Sequence, residues 1–163
     1  LNSLILKKYM QFCYMEKLNF PMFNLPTKSK ENKNFIFDSI RKKWLILTPE
    51  EWVRQHCVQY LINNKGYPIG LIQVEKKLKV NQREKRYDIV CFNQVGKINL
   101  LVECKRPDVK ITQRTFDQIS QYNYALKSDL IMITNGLEHY YCKMNFEDKK
   151  YVFLDKLPPF KYH

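Results

Sequence analysis

The apolar run Ile98-Asn99-Leu100-Leu101-Val102 ends in Glu103-Cys104-Lys105, and this ending constrains the chain more than any other feature. Residues two apart on a strand project from one face, so a carboxylate and an ammonium stand side by side there. A second β-like run, Tyr87-Asp88-Ile89-Val90-Cys91-Phe92, lies just upstream. In a hairpin whose turn is centred between Val95 and Gly96, Asp88 falls opposite Glu103. Directly opposed residues share a face. Asp88, Glu103 and Lys105 are therefore expected to converge, two acids with a built-in cation.

Such a set suits a divalent ion. Mg²⁺ is hard, takes oxygen ligands, and commonly binds through one or two carboxylates plus phosphate oxygens of a substrate. Asp88 and Glu103 are the expected ligands, with the backbone carbonyl of Cys104 as a third oxygen. Two adjacent carboxylates are unfavourable without a cation. Lys105 cannot ligate a metal while protonated; its expected part is to position a water or to stabilise charge that builds up at a phosphate.

The surrounding pattern is α/β. Strands are expected over Asn34 to Asp38 and Lys43 to Leu47, joined by the basic turn Ser39 to Lys42. A helix follows, with Thr48 as N-cap, Pro49 at the first position, Glu51 completing a capping box and Gly66 as the stop. Its expected apolar face carries Trp52, Val53, Cys57, Tyr60 and Leu61. Leu71 to Val80 predicts a strand, Asn81 to Lys85 a polar link, and Asn93 to Lys97 a turn between the Asp88 and Glu103 strands. Thr112 to Leu126 predicts a second helix. Asp129 to Thr134 and Leu137 to Met144 predict strands about an Asn135-Gly136 turn, with Tyr151 to Leu154 as an edge. This order implies a mixed central β-sheet flanked by helices. One domain is expected over residues 34 to 160, after a loosely ordered lead-in over residues 1 to 33. The chain opens on Leu, and Met15 or Met22 is the expected start.

A net charge of +12 in 163 residues favours polyanion partners, nucleic acid before anionic membrane. Lys85, Arg86, Arg106, Lys110 and Arg114 crowd the acid pair and are the expected phosphate clamp. Tyr140 and Tyr141 can stack on bases, with at least one expected in the core. The cysteines Cys13, Cys57, Cys91, Cys104 and Cys142 are odd in number and form no C-x-x-C, which argues against a disulfide frame or zinc knuckle and for a reducing, cytoplasmic setting. No apolar run approaches the ~18 residues that span a bilayer. The chain has four glycines and no G-x-x-x-x-G-K-[ST] loop, so no ATP-driven motor is expected on it.

Asp88, Glu103-Cys104-Lys105 and Gln118-x-x-x-Tyr122 resemble the PD-(D/E)xK nuclease superfamily. Ile36-Phe37-Asp38, Ile40-Arg41-Lys42-Lys43, Leu47 to Gln55, Tyr87 to Val90, Val102 to Lys105, Phe116 to Ile119, Thr134-Asn135-Gly136 and His139-Tyr140 together resemble the N-terminal domain of type I restriction enzyme R subunits. The resemblance implies a restriction-endonuclease-like fold and Mg²⁺-dependent cleavage of DNA. It carries over Asp88 and Glu103 as metal ligands and Lys105 as the catalytic lysine. Glu51 matches a first-helix acid that can hold a metal-bound water, a role compatible with capping. Gln118 and Tyr122, one helical turn apart, match an element that orients the lysine or binds the substrate backbone. Tyr87 stands where the family's short name has proline, and Arg106 where a small residue is frequent. The resemblance also implies motor and specificity subunits as partners. The alternative is a DNA-binding or assembly module of a restriction complex that cleaves nothing.

Overall fold

Thr48 opens the first helix, α1 (Pro49–Lys65): its hydroxyl accepts the Glu51 amide at 3.1 Å. Such a cap contributes about 1 kcal/mol. Gly66 ends the helix in the left-handed conformation at φ 72°. The reciprocal half of the expected capping box is not made; the Glu51 carboxylate turns instead to Arg41, Arg54 and Gln55. The expected apolar face holds, with Val53, Cys57 and Leu61 fully buried, and it is joined by Val58. The computed structural model describes residues 15–80 and 82–162.

Two sheets flank this helix. The small one runs β1 (Thr27–Lys30), β2 (Lys33–Asp38) and β3 (Lys43–Ile46), antiparallel throughout. β1 lies where the sequence suggests a lead-in. Its hairpin turns on Glu31 and Asn32, both at positive φ (50° and 59°), without the glycine that usually signals such a turn. Residues 1–14 of the expected lead-in fall outside the described residues.

The large sheet has the order β4 (Ile72–Val80), β5 (Arg83–Phe92), β6 (Ile98–Cys104), β7 (Leu130–Thr134), β8 (His139–Asn145) and β9 (Lys150–Leu154). β5 begins at Arg83, inside the stretch that reads as a link. A single 3₁₀ turn, Ile69–Leu71, precedes β4. The β6–β7 pair is parallel, and α2 (Gln113–Leu126) makes the crossover it requires. The sheet is thus mixed, with a helix on each face.

Alternation sends side chains to the two helices. Val74, Ile89, Cys91, Leu100, Val102, Cys104 and Met132 pack toward α1 with Val53, Cys57 and Leu61. Val90, Leu101 and Tyr87 pack with Tyr122 and Leu126 of α2, while Ile131 and Ile133 meet Phe116 and Ile119. The described cysteines, Cys57, Cys91, Cys104 and Cys142, are free and buried, as expected of core thiols. No helix among the described residues is long and apolar enough to cross a membrane.

Candidate functional site

The β5–β6 ladder decides where the acids fall. Ile89 pairs with Val102, Val90 with Leu101 and Cys91 with Leu100, so one step further sets Asp88 level with Glu103. The paired residues follow the expected register as far as Ile89–Val102, although the turn centre differs. The loop closes by Asn93 N–H to the Lys97 carbonyl at 2.8 Å, which centres it on Val95. A shift between Cys91 and Phe92 then restores the register by leaving Asn99 as an extra residue on β6. The Tyr67 hydroxyl donates to Asn99 Oδ1 at 2.9 Å and holds that irregularity.

Strict alternation breaks at Asp88. Ile89 faces α1 and Tyr87, two residues away, faces α2. Asp88 itself turns to the α1 side, where its Oδ1 accepts from Arg54 Nη2 at 2.8 Å and its Oδ2 from the Cys104 amide at 2.7 Å. On β4, Glu75 occupies the level between the Val74–Ile89 and Lys76–Tyr87 pairs with φ 55°. Glu75 therefore also departs from strand geometry, and its carboxylate reaches Arg54 and Arg86, each at 3.1 Å.

Arg54 is the centre of this cluster and is only 4% exposed. One guanidinium meets Glu50 at 3.1 Å, Glu75, Asp88, and Glu51 through a short contact. Burial opposes its charge, but the Asp88 and Glu51 carboxylates outweigh burial and raise its pKa. Arg41, in the β2–β3 turn, reaches Glu51 at 3.2 Å and also pairs with buried Asp38, so the small sheet is tied to the same network. Neither Arg54, Arg41 nor Glu75 is a sequence-predicted site residue. Spacing of i,i+3 and i,i+4 from Glu51 and Glu50 is the signal that points to Arg54.

Glu103 and Lys105 form an ion pair at 2.7 Å. Burial, then the negative charge of Asp88, raises the Glu103 pKa above the usual carboxylate value, against the opposing pull of Lys105 and Lys85. Burial acts against the Lys105 ammonium, yet its hydrogen bond to Glu103 and the neighbouring acids raise its pKa overall. Lys105 is thus held charged. Lys85 lies beside the pair with its ammonium 3.8 Å from the Tyr122 ring centroid. Burial lowers its pKa, Lys105 adds to that, and Glu103 and Asp88 partly offset it.

The remaining predicted residues fall in several places. Glu51 has both oxygens engaged by Arg41, Gln55 and Arg54. Gln118 is exposed on α2, and its side chain makes no hydrogen bond to Lys105 or any other described residue. Tyr122 is half-buried against Tyr87, Val90 and Leu101. Arg86 is paired with Glu75, and Arg106 with Asp108. Lys110 and Arg114 are exposed, without an ion pair among the described residues. Tyr140 and Tyr141 are half-buried against the two core clusters.

A family model described as the type I restriction enzyme R protein N terminus (HSDR_N) matches residues 49–158. The chain belongs to this family. The matched span begins at the first residue of α1, runs through both helices and all six strands of the large sheet, and contains Asp88, Glu103 and Lys105. The mixed sheet with its two helices is compatible with a restriction-endonuclease-like fold. No curated protein matches the chain. The small sheet, β1 to β3, lies before the part this R-protein family describes.

For an ion, this R-protein domain offers hard oxygen donors. Among the described residues no group of three or more His, Cys, Asp or Glu side chains is placed to share one. Asp88 and Glu103 alone would leave coordination positions to a backbone carbonyl, water or substrate, the habit of Mg²⁺. Burial and, after it, the charge of Asp88 raise the Glu103 pKa, and a cation between the acids would offset both.

Proposed function

We propose that this R-protein domain is a Mg²⁺-dependent nuclease that hydrolyses DNA phosphodiester bonds, working with motor and specificity subunits of a restriction system. The observation that carries this reading is that Asp88 accepts the Cys104 amide at 2.7 Å, which brings it against the Glu103-Cys104-Lys105 run where Lys105 pairs with Glu103. A protein that only bound DNA would gain nothing from acids facing a polyanion.

Asp88, Glu103 and the Cys104 carbonyl would hold the ion. When bound, it would polarise the phosphodiester and lower the pKa of a water. Lys105 stays protonated beside Glu103, so it serves as a fixed positive charge where negative charge develops, and not as a base. The Cys104 amide and Arg54 fix the Asp88 carboxylate in one orientation. Lys85, held over Tyr122, adds a second cation beside the acids.

Plasmid nicking by the full chain with Mg²⁺, against EDTA, tests this. Glu103→Ala and Lys105→Ala are each expected to reduce nicking at least about 100-fold while circular dichroism stays unchanged. Nicking that persists in both variants overturns the site. One observation favours the second reading, a module that binds without cutting: Arg54 already neutralises Asp88 and gives that acid a structural partner. Binding without cleavage across Mg²⁺, Mn²⁺ and Co²⁺ by the unaltered protein would establish that reading instead.

A further inference from the structure

We propose that the outer face of the β1–β2–β3 sheet is a stacking platform for single-stranded nucleic acid, separate from the acid cluster. The register defines the face. Lys28 pairs with Phe35 and Lys30 with Lys33, while Phe35 pairs with Ile46 and Phe37 with Trp44. Opposed residues and their i,i+2 neighbours share a side, so lysines and aromatic rings alternate over one surface. The other side carries Ile36 and Asp38, both fully buried.

This surface is open where a core-facing sheet would be covered. Trp44 is 39% exposed and Ile46 is 55% exposed. The Phe37 and Trp44 rings meet edge to face at 5.4 Å, which fixes the indole plane. Lys28 lies over that indole with its ammonium 4.1 Å from the centroid. A cation there already marks the ring face as electron-rich and reachable. A base can take the same face while the ammonium moves to its phosphate.

Charge selects the occupant. The exposed cations Lys28, Lys30 and Lys33 lie on this face, with exposed Lys42 in the β2–β3 turn beside it. Against them stand Glu31 at the hairpin tip, paired with Lys30, and Asp38, buried beneath Arg41. A surface of flat rings between lysines matches a polyanion that exposes flat rings. A duplex hides its base faces, so the fitting partner is a single strand. The Arg41–Glu51 contact fastens the platform to α1 and so to the Arg54 network.

The test uses the full chain in EDTA, so that its failure is independent of cleavage. In a Trp52→Phe background, Trp44 emission is titrated with dT20, a matched 20-base-pair duplex, and phosphatidylserine vesicles. Quenching by dT20 is expected, and anisotropy of labelled dT20 should show Trp44→Ala and Phe37→Ala each weakening it about tenfold. Duplex binding should change less than twofold, and Trp44→Phe should retain most dT20 affinity. If the alanine variants misfold, Trp44 quenching and the effect of Lys28→Gln with Lys33→Gln decide. Absence of quenching, unchanged dT20 affinity in Trp44→Ala, or quenching by vesicles but not by dT20 overturns the proposal.

Discussion

Arg54 shows how much one side chain can organise. Its guanidinium reaches Glu50, Glu51, Glu75 and Asp88 from a position 4% exposed to solvent. Removing it leaves Asp88 with the Cys104 amide alone and Glu51 with Arg41 and Gln55, each short of a close counter-charge. Breaking a buried ion pair from one side costs about 3–5 kcal/mol. Arg54→Ala is therefore expected to lower the unfolding free energy by that amount, read from the fall of the urea midpoint at neutral pH. Arg54→Lys should recover only part of the loss, because an ammonium cannot offer a planar fork to several carboxylates at once. Equal midpoints for Arg54→Ala and the unaltered protein would contradict the network described. The acids Asp88 and Glu103 are legible in the sequence only because two departures cancel: the turn is centred on Val95, and the irregularity at Asn99 restores the register. Arg54 is half legible, since its helical spacing from Glu50 and Glu51 can be read but its contacts with Glu75 and Asp88 are tertiary.

Among the elements, the β7–β8 turn is the most tightly constrained. Gly136 sits at φ 85°, and a Cβ there would stand 2.7 Å from Leu18 Cδ2 and 3.0 Å from Val53 Cγ2. Its carbonyl accepts the Asn19 amide at 2.7 Å, so the turn anchors the segment before β1. Gly136→Ala combines overpacking with backbone strain and should cost at least ~2 kcal/mol in urea unfolding. In a Leu18→Ala background the cost should shrink, since the closest neighbour is gone. His139 follows this turn. Its Nε2–H donates to the Asn19 carbonyl at 2.9 Å, which leaves Nδ1 to accept the Thr134 hydroxyl at 2.8 Å. Burial lowers the pKa of His139 and of His56 below 6.5, against the pull of a backbone hydrogen bond in each case. Unfolding therefore takes up protons between their folded values and 6.5, so their stabilisation is present above 6.5 and is lost as pH falls through that window. The urea midpoint should be higher at about pH 7.5 than at about pH 5.5, with a smaller difference in His139→Gln. The Asn135-Gly136 turn and the caps of α1 can be read directly because glycine, threonine and proline carry local rules. β1 cannot, because Glu31 and Asn32 adopt positive φ without a glycine. The kink at Glu75 and Asp88 is equally silent: both carboxylates meet Arg54, a tertiary contact that no local pattern records.

At the scale of the whole molecule, a net charge of +12 does not act as one quantity. Much of the basic charge near the acids is already spent internally: Arg86 on Glu75, Arg106 on Asp108, Lys105 on Glu103, Arg54 and Arg41 on α1. Lys110 and Arg114 are exposed and without an ion pair among the described residues. The local pair Lys105–Glu103 can be read from the sequence, but pairing across the fold, as of Arg86 with Glu75, has no signature in composition. Salt dependence does distinguish paired cations from unpaired ones. Each phosphate neutralised contributes about 0.9 to the slope of log affinity against log salt on duplex DNA. Lys110→Gln with Arg114→Gln should flatten the slope by about 2. Asp108→Asn should do the reverse: it frees Arg106, which is 53% exposed, to meet phosphate. Duplex affinity in EDTA should then rise, and the slope should steepen by about 1. An unchanged slope in Asp108→Asn would mean that Arg106 lies outside the DNA path, and an unchanged slope in the Lys110→Gln, Arg114→Gln variant as well would mean that the basic residues after Lys105 do not act as a phosphate clamp.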